Sequence, residues 1–307
     1  MSTPDRTVAI AIDLGGTKVE AAVVTADGLV VEGSVFRAPT GSSTTRDEIA
    51  EAVRSVAVSA HAALGEGDRL AGVGIGSAGP VDLAAGSVSP LNLPRAAGLP
   101  IVSIVSEAVP AAPVRLALDG TCIALAEHAF GAARGARNAL AMVVSTGIGG
   151  GLIVDGMPVT GVSGNAGHIG QTRLRSRTEG SPATDGTLED IASGPRTVAW
   201  AQAQGWSGGT GEDLAVSYAA GDDIAVAAVR RSAGAVGEAI ASVSTLLDLD
   251  VAVIAGGFAA VGADYIDLVR ASVRESAVYP YARRVEVVPT GLDGRGPLVG
   301  AASLVLP

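Results

Sequence analysis

The chain of 307 residues carries one cysteine, Cys122. A single thiol cannot close an intrachain disulfide and cannot build a cysteine-based zinc cluster. Aromatic residues are scarce too, at 3%, so the core must be packed from Val, Ala, Leu and Ile. Lysine is almost absent: Lys18 is the only one among 21 basic side chains, set against 31 acidic ones. The resulting net charge of -10 disfavours a nucleic-acid or anionic-membrane binder, since either needs a basic face. A small anionic ligand is still compatible, because backbone N–H groups hold phosphate without net positive charge. Long apolar runs are missing as well. Gly, Pro and charges interrupt every stretch well short of the ~18 residues a membrane span needs. The Met1 end lacks the basic-then-apolar pattern of a secretory signal. These absences predict a protein of the cytoplasm, with neither membrane nor nucleic acid as partner.

What is present points to a folded α/β chain. Hydrophobic residues make up 48% and charged ones 17%, a globular balance, and the length suits one large or two medium domains. Thr7–Ile12 and Val19–Val24 read as strands flanking "DLGGTK" (Asp13–Lys18), a glycine pair that signals a tight hairpin. Leu29–Phe36 reads as a third strand, Asp47–Leu64 as a helix with an acidic first turn, and Leu70–Ile75 as a strand entering a long Gly, Pro and Ser-rich loop up to Pro100. Val114–Leu118 is a strand ending at Asp119, with a helix over Thr121–Ala133. Ala139–Ser145 then enters "STGIGGG" (Ser145–Gly151), repeating the strand, glycine turn, strand theme of the N-terminus. Gly161–Leu188 is polar and irregular. Helices are expected over Leu188–Ala203, Ile224–Arg231, Val236–Leu247 and Leu298–Leu306, and strands over Val251–Ile254, entering "AGGF", and Val285–Val288. Two hairpin-bearing halves alternating with helices imply an internal duplication and a cleft.

The glycine loops carry the first chemical signal. "DLGGTK" offers a carboxylate, flexible N–H groups, a hydroxyl and an ammonium within six residues, and "STGIGGG" offers hydroxyls and a row of N–H donors. Each alone reads equally well as a plain turn. Together with "AGGF" they place three close-approach points at strand ends, which favours a nucleotide. There is no "GxxxxGK[ST]" loop and no "GxSxG" elbow. A formal "GxGxxG" at Gly74, Gly76 and Gly79 runs into Pro80 and a loop where a dinucleotide fold needs a helix. Asp119, at a strand end before a helix, reads as a helix N-cap or as a general base facing a cleft.

"DLGGTK", "SAGPVD", "STGIGGG", "AGGF" and the closing "GPLVGAA" occur in the order seen in ROK-family sugar kinases, and the chain resembles that family from Ile10 to Ala302. The resemblance implies a duplicated actin/hexokinase-like (ribonuclease H-like) ATPase fold with two domains around a cleft, one over residues 1–118 plus 297–307 and one over 119–296. It implies ATP held by Gly15, Gly16, Thr17, Lys18, Thr146 and Gly147, with adenosine against Gly256 and Gly257. Mg²⁺ would be oriented by Asp13 through water. Asp119 would match the catalytic base of the family's usual "NDAN". Sugar contacts would fall on Gly79, Asn92, Asp119, His168, Gln171 and Glu189. A homodimer is implied, and the pattern's early start leaves no room for the DNA-binding domain of the family's repressors.

The same register exposes departures. "LDGT" puts Leu118 and Thr121 in place of the two asparagines of "NDAN". The family's "GEIGH" is "GHIGQ" here, so His168 stands for a sugar-binding glutamate and Gln171 for a histidine that binds sugar and a structural zinc. Gly180, Pro182 and Thr187 stand where three zinc cysteines are usual. Zinc needs four N, S or O ligands in tetrahedral array, so no structural zinc is expected. His168 then reads as a substrate contact or as filler in an altered pocket. The expected activity is ATP-dependent phosphorylation of a sugar hydroxyl, the 6-OH of a hexose or of a modified or amino hexose. The alternative is a sugar- or nucleotide-binding sensor that has lost turnover.

Overall fold

The computed structural model describes residues 6–176 and 182–307. They form two compact units. The first holds the described residues up to Phe130, with Pro158–Ala166 and Leu292–Pro307, and the second holds Gly131–Met157 and Gly167–Gly291. The elements run in order β1 (Arg6–Leu14), β2 (Lys18–Thr25), β3 (Phe36–Pro39), α1 (Arg46–Ala62), β4 (Asp68–Ser77), β5 (Val81–Asp82), β6 (Ser87–Val88), α2 (Ile101–Ala108), β7 (Val114–Leu118) and α3 (Asp119–Ala129). They continue as β8 (Ala139–Val144), β9 (Ile148–Val154), β10 (Met157–Pro158), α4 (Leu188–Ala192), α5 (Gly194–Ala203), α6 (Gly211–Ala219), α7 (Asp223–Leu247), β11 (Val251–Ala255), α8 (Tyr265–Ser276), β12 (Glu286–Pro289) and α9 (Gly296–Ala302).

The first sheet has the order β3-β2-β1-β4-β7, and the second β10-β9-β8-β11-β12. Each contains an antiparallel hairpin, β1–β2 or β8–β9, extended by two parallel strands. The shared pattern bears out the duplication read from the glycine turns. In the first unit β1 separates its residues by size. Ile10, Ile12 and Leu14 pack with Ile49 and Val53 of α1 and Ile101 and Val105 of α2. Ala9 and Ala11 face the other way, with Cys122 of α3 and Ala301 and Ala302 of α9. Both faces are buried, which explains why the strand reads as a near-continuous apolar run.

Small residues let α9 come unusually close. A Cβ at Gly74 of β4 would lie 1.7 Å from the Ala301 carbonyl oxygen, and one at Gly300 would lie 1.7 Å from that of Cys122. The first two glycines of the formal "GxGxxG" therefore sit inside β4, and Gly74 serves helix packing. This packing also moves a boundary. The sequence suggests a second domain starting at Asp119, but α3 lies on α9 and belongs to the first unit, which runs to Phe130.

Other differences have local causes. The third strand pairs only from Phe36, because Gly33 takes φ +74° and Ser34 turns its hydroxyl to accept the Val23 N–H at 3.1 Å. The single helix expected over Leu188–Ala203 breaks at the extended Ser193, ahead of Pro195 in the first turn of α5. Two expected helices are one, α7: Gly237 does not break it, because its missing side chain admits Ser272 of α8, whose Cβ would lie 2.5 Å from a Cβ at 237. Helices α2, α6 and α8 were not foreseen. The first buries Ile101, Ile104 and Val105 at helical spacing, but at eight residues it is too short for that period to stand out in the sequence.

Gly300→Ala should destabilise the protein by about 2 kcal/mol or more through backbone overlap. Gly234→Ala, in α7 with open space around it, should raise stability by about 0.5–1 kcal/mol. Denaturant unfolding of the two variants checks both signs.

Candidate functional site

In the first unit the β1–β2 turn is fixed by its own backbone and by the strand edge. The Gly15 N–H donates to the Lys18 carbonyl at 3.0 Å, and Thr40 caps the turn from outside, its hydroxyl donating to the Gly15 carbonyl at 3.0 Å. Asn92 lies over Gly16, where a Cβ would come within 2.2 Å of its amide nitrogen. Asp13, at the end of β1, is half-buried. Burial, then the neighbouring Asp119 and Glu20, push its pKa up to about 7, with Lys18 acting against them. Lys18 and Arg37 both pair with the Glu20 carboxylate. Burial works against that charge, but the two cations hold Glu20 below the usual carboxylate range. Lys18, Arg37 and Arg295 line a polar pocket of about 390 Å³ that Asp13 also faces.

Asp119 is the first residue of α3, and the extended Leu118 before it provides no side-chain cap. The Asp119 carboxylate accepts the Gly120 N–H at 2.6 Å, so it does part of a cap's work while remaining near Asp13. Leu118 is buried in the core, and Thr121 is buried with an Oγ1 that finds no hydrogen-bond partner among the described residues. Gly79 precedes Pro80 and Val81, and the Asn165 side chain clamps Val81 through both its N–H and its carbonyl, each at 2.8 Å.

The second unit repeats the turn. The Ser145 N–H donates to the Gly147 carbonyl at 3.0 Å, and the Gly194 N–H to the Ser145 carbonyl at 2.8 Å. Thr146 opens onto a pocket of about 600 Å³ with Gly194, Pro195, Val198, Thr210, Gly257 and Phe258 among its walls. The two glycines of "AGGF" differ. Gly256 has φ +104°, and a Cβ there would lie 2.3 Å from the Val144 carbonyl, whereas Gly257 has nothing within 4 Å and leaves the pocket open. Glu189, in the first turn of α4, accepts the Ile148 N–H at 2.8 Å and the Gln171 side-chain N–H at 3.1 Å. His168 precedes the 3-10 turn Ile169–Gln171, and its Nε2 is buried without a hydrogen-bond partner among the described residues.

The ROK family model matches residues 9–307. The chain belongs to the ROK family. It is 31% identical over 301 residues to the N-acetylmannosamine kinase of Yersinia pseudotuberculosis, covering 95% of this chain and 96% of that one. Among solved structures, it is similar to the ROK hexokinase from Thermus thermophilus, with 30% identity, a TM-score of 0.79 and 97% of each chain covered. The ROK glucokinase from Streptomyces griseus in complex with glucose and AMPPNP matches at 28% identity and a TM-score of 0.80, over 97% of this chain and 99% of that one. The two α/β units are therefore the duplicated actin/hexokinase-like fold. Among the described residues no helix is long and apolar enough to cross a membrane.

Within this ROK chain the first unit gathers Asp13, Asn92, Asp119 and the turn Gly15–Lys18. The second brings Thr146 and Gly257 to one pocket and sets Gly147 beside Glu189, which is bonded to Gln171. Gly256 backs β8 instead of facing the open pocket. The residues do not fit the zinc of the family pattern. Gln171 spends its N–H on Glu189, Thr187 accepts the Asp190 N–H as the N-cap of α4, and Pro182 offers no ligand. Gly180 lies outside the described residues. Among those described, no group of three or more His, Cys, Asp and Glu is arranged to hold a metal ion. Sequence reasoning missed the walls of the larger pocket from α5 and α6. The "TGED" start of α6, with Thr210 and Asp213 in reciprocal capping bonds, was a legible helix signal.

Asp13 has a testable cost. Its folded pKa of about 7 stands above the unfolded value of 3.8, so the folded state holds its proton more tightly. The group is neutral for stability below the unfolded value and destabilises the metal-free protein increasingly as pH rises towards the folded one. Asp13→Asn should gain on the parent by about 1–3 kcal/mol between pH 5 and pH 8, the partial exposure of Asp13 tempering the upper figure. Melting curves of both proteins in chelator-treated buffer at the two pH values measure it.

Proposed function

We propose that this ROK chain transfers the γ-phosphoryl group of ATP to a hydroxyl of a sugar, with Asp119 as the base. Sugar-kinase activity and the use of ATP follow from the family and from relatives named as sugar kinases, one solved with AMPPNP. The observation that carries the finer reading is the pairing of carboxylates in the first unit. Asp119 raises the pKa of Asp13 beside the glycine turn Gly15–Lys18. Two carboxylates that resist common ionisation suit a site where a cation and a transferred proton both belong.

In this reading the first unit holds phosphate on the Gly15–Lys18 turn, through Gly16, Thr17 and Lys18, because the Gly15 N–H is taken by the Lys18 carbonyl; within the second unit Thr146 and Gly147 offer a hydroxyl and backbone N–H groups of the same kind. The larger pocket of the second unit takes the nucleoside, with Gly257 allowing close approach. Asp13 fits Mg²⁺, because a cation relieves the repulsion it now shares with Asp119 and Glu20. Bound Mg²⁺ would neutralise phosphate charge. Asp119 accepts the proton of the sugar hydroxyl as its oxygen bonds to the γ-phosphorus and the bond to the β-phosphate oxygen breaks, releasing ADP. The attacked group is the primary hydroxyl of a hexose or of an amino or acylated hexose.

In this proposal the first unit contacts the sugar through Gly79 and Asn92, and the second unit's own candidates for sugar contact are His168, Gln171 and Glu189. The imidazole brings a donor and an acceptor where a carboxylate only accepts. Leu118 cannot make the bond of an asparagine, and a lost bond to a substrate hydroxyl shifts preference by orders of magnitude. Glucose itself is thereby disfavoured. The same loss, with the orphaned Thr121 hydroxyl, is what favours the second reading, a binding protein without turnover.

A coupled ADP-release assay over glucose, mannose, N-acetylmannosamine, glucosamine and other amino hexoses separates the two. Turnover with at least one sugar is expected. AMPPNP binding with no turnover on the whole panel would sink the kinase reading. Asp119→Ala should cut kcat by about a thousandfold or more while leaving AMPPNP affinity within about threefold; retained turnover would remove Asp119 as the base.

A further inference from the structure

Glu189 sits at the centre of a brace. One carboxylate oxygen accepts the Ile148 N–H at 2.8 Å, just past the β8–β9 turn, and the other accepts the Gln171 side-chain N–H at 3.1 Å. The contact with the turn is so close that a Cβ at Gly147 would stand 2.8 Å from the same oxygen. Ile148 is gripped from its other end too. A Cβ at Gly170 would lie 2.0 Å from the Ile148 carbonyl oxygen, and one at Gly167 would lie 2.4 Å from that of Gly150. The 3-10 turn carrying Gln171 therefore lies directly on β9. Thr187 completes the arrangement as the N-cap of α4: its hydroxyl accepts the Asp190 N–H at 3.3 Å and sets the helix turn from which Glu189 projects.

Gln171 and Thr187 are two of the four positions that bind zinc in the pattern this chain resembles. Here one donates to Glu189 and the other caps its helix. We infer that Gln171 is a positioning residue: it fixes the Glu189 carboxylate against the Gly147–Ile148 turn, and a hydrogen-bonded brace of Gln171, Glu189 and Thr187 holds the β8–β9 hairpin. The consequence for nucleotide binding rests on the function proposed above, whereas the brace itself rests on geometry within the second unit.

The chemistry of the pair makes the test reciprocal. Gln171→Glu sets carboxylate against carboxylate and should expel Glu189 from the turn. Adding Glu189→Gln reverses donor and acceptor: the new amide N–H points to residue 171, and its oxygen still accepts the Ile148 N–H. Gln171→Leu keeps the bulk and removes the bond. Two readouts apply, amide exchange of the peptide spanning the β8–β9 turn and calorimetric affinity for AMPPNP with Mg²⁺. Gln171→Glu should speed exchange at the turn and weaken AMPPNP binding about tenfold, and Gln171→Leu about threefold, as expected for one charge-assisted bond. The double variant should return both readouts to within about threefold of the parent. Unchanged exchange in Gln171→Leu and Gln171→Glu would overturn the brace, as would a double variant no better than Gln171→Glu. If the parent itself fails to bind AMPPNP, the nucleotide reading falls, and the exchange data still decide the brace.

Discussion

A backbone carbonyl meets a neighbouring strand or helix at contact distance only where no Cβ stands between them, and this chain uses that freedom at several contacts that position its candidate site residues. Gly74 and Gly300 let α9 lie on β4 and α3, and so fix the helix that begins with Asp119. Gly167 and Gly170 let the loop with His168 and Gln171 lie on β9, and Gly256 seats the end of β11 against β8. Glycine costs backbone entropy, so each of these contacts must return enough packing to offset it. A core nearly free of aromatics makes such tight approaches easier, since no large ring has to be accommodated between layers.

Charge is organised on the same scale. The first unit places Asp13 and Asp119 together and meets their repulsion only partly, because its nearest cations are already engaged: Lys18 and Arg37 share Glu20. The first unit thus carries an unfavourable charge arrangement of a kind that a cation relieves. Burying like charges side by side is costly, and sites that bind or transfer charge are where such costs are tolerated. The lone lysine fits this picture as one member of a three-residue ionic cluster with Glu20 and Arg37.

The fold was largely legible, because each sheet begins with a hairpin whose turn is written as a glycine pair between apolar strands. The first-unit site residues were legible for the same reason: Asp13, Gly15 and Gly16 are local to one turn, and Asp119 marks a strand end. The larger pocket was not, since Gly194, Thr210 and Phe258 meet only after three helices and a strand have packed. The partnership of Gln171 with Glu189 spans 18 residues and has no periodicity to reveal it. Sequence register placed both near the sugar, while their hydrogen bonds point to each other and to Ile148. Helix α8 escaped notice although it packs on α7, and the first unit runs twelve residues past the boundary the sequence suggests, because α3 takes its place from contact with α9, at the far end of the chain.

Cys122 lies in the packed layer between α3 and the first sheet, where a Cβ at Gly76 would come within 3.1 Å of its sulfur. Burial, with Asp13 and Asp119 nearby, holds its thiol well above the ordinary range, so it is unreactive while the layer is closed. The chain has no other cysteine. A thiol reagent added to the native protein therefore acts as a clock on one unit: each labelled molecule records an opening of the first unit, and motion in the second leaves no mark.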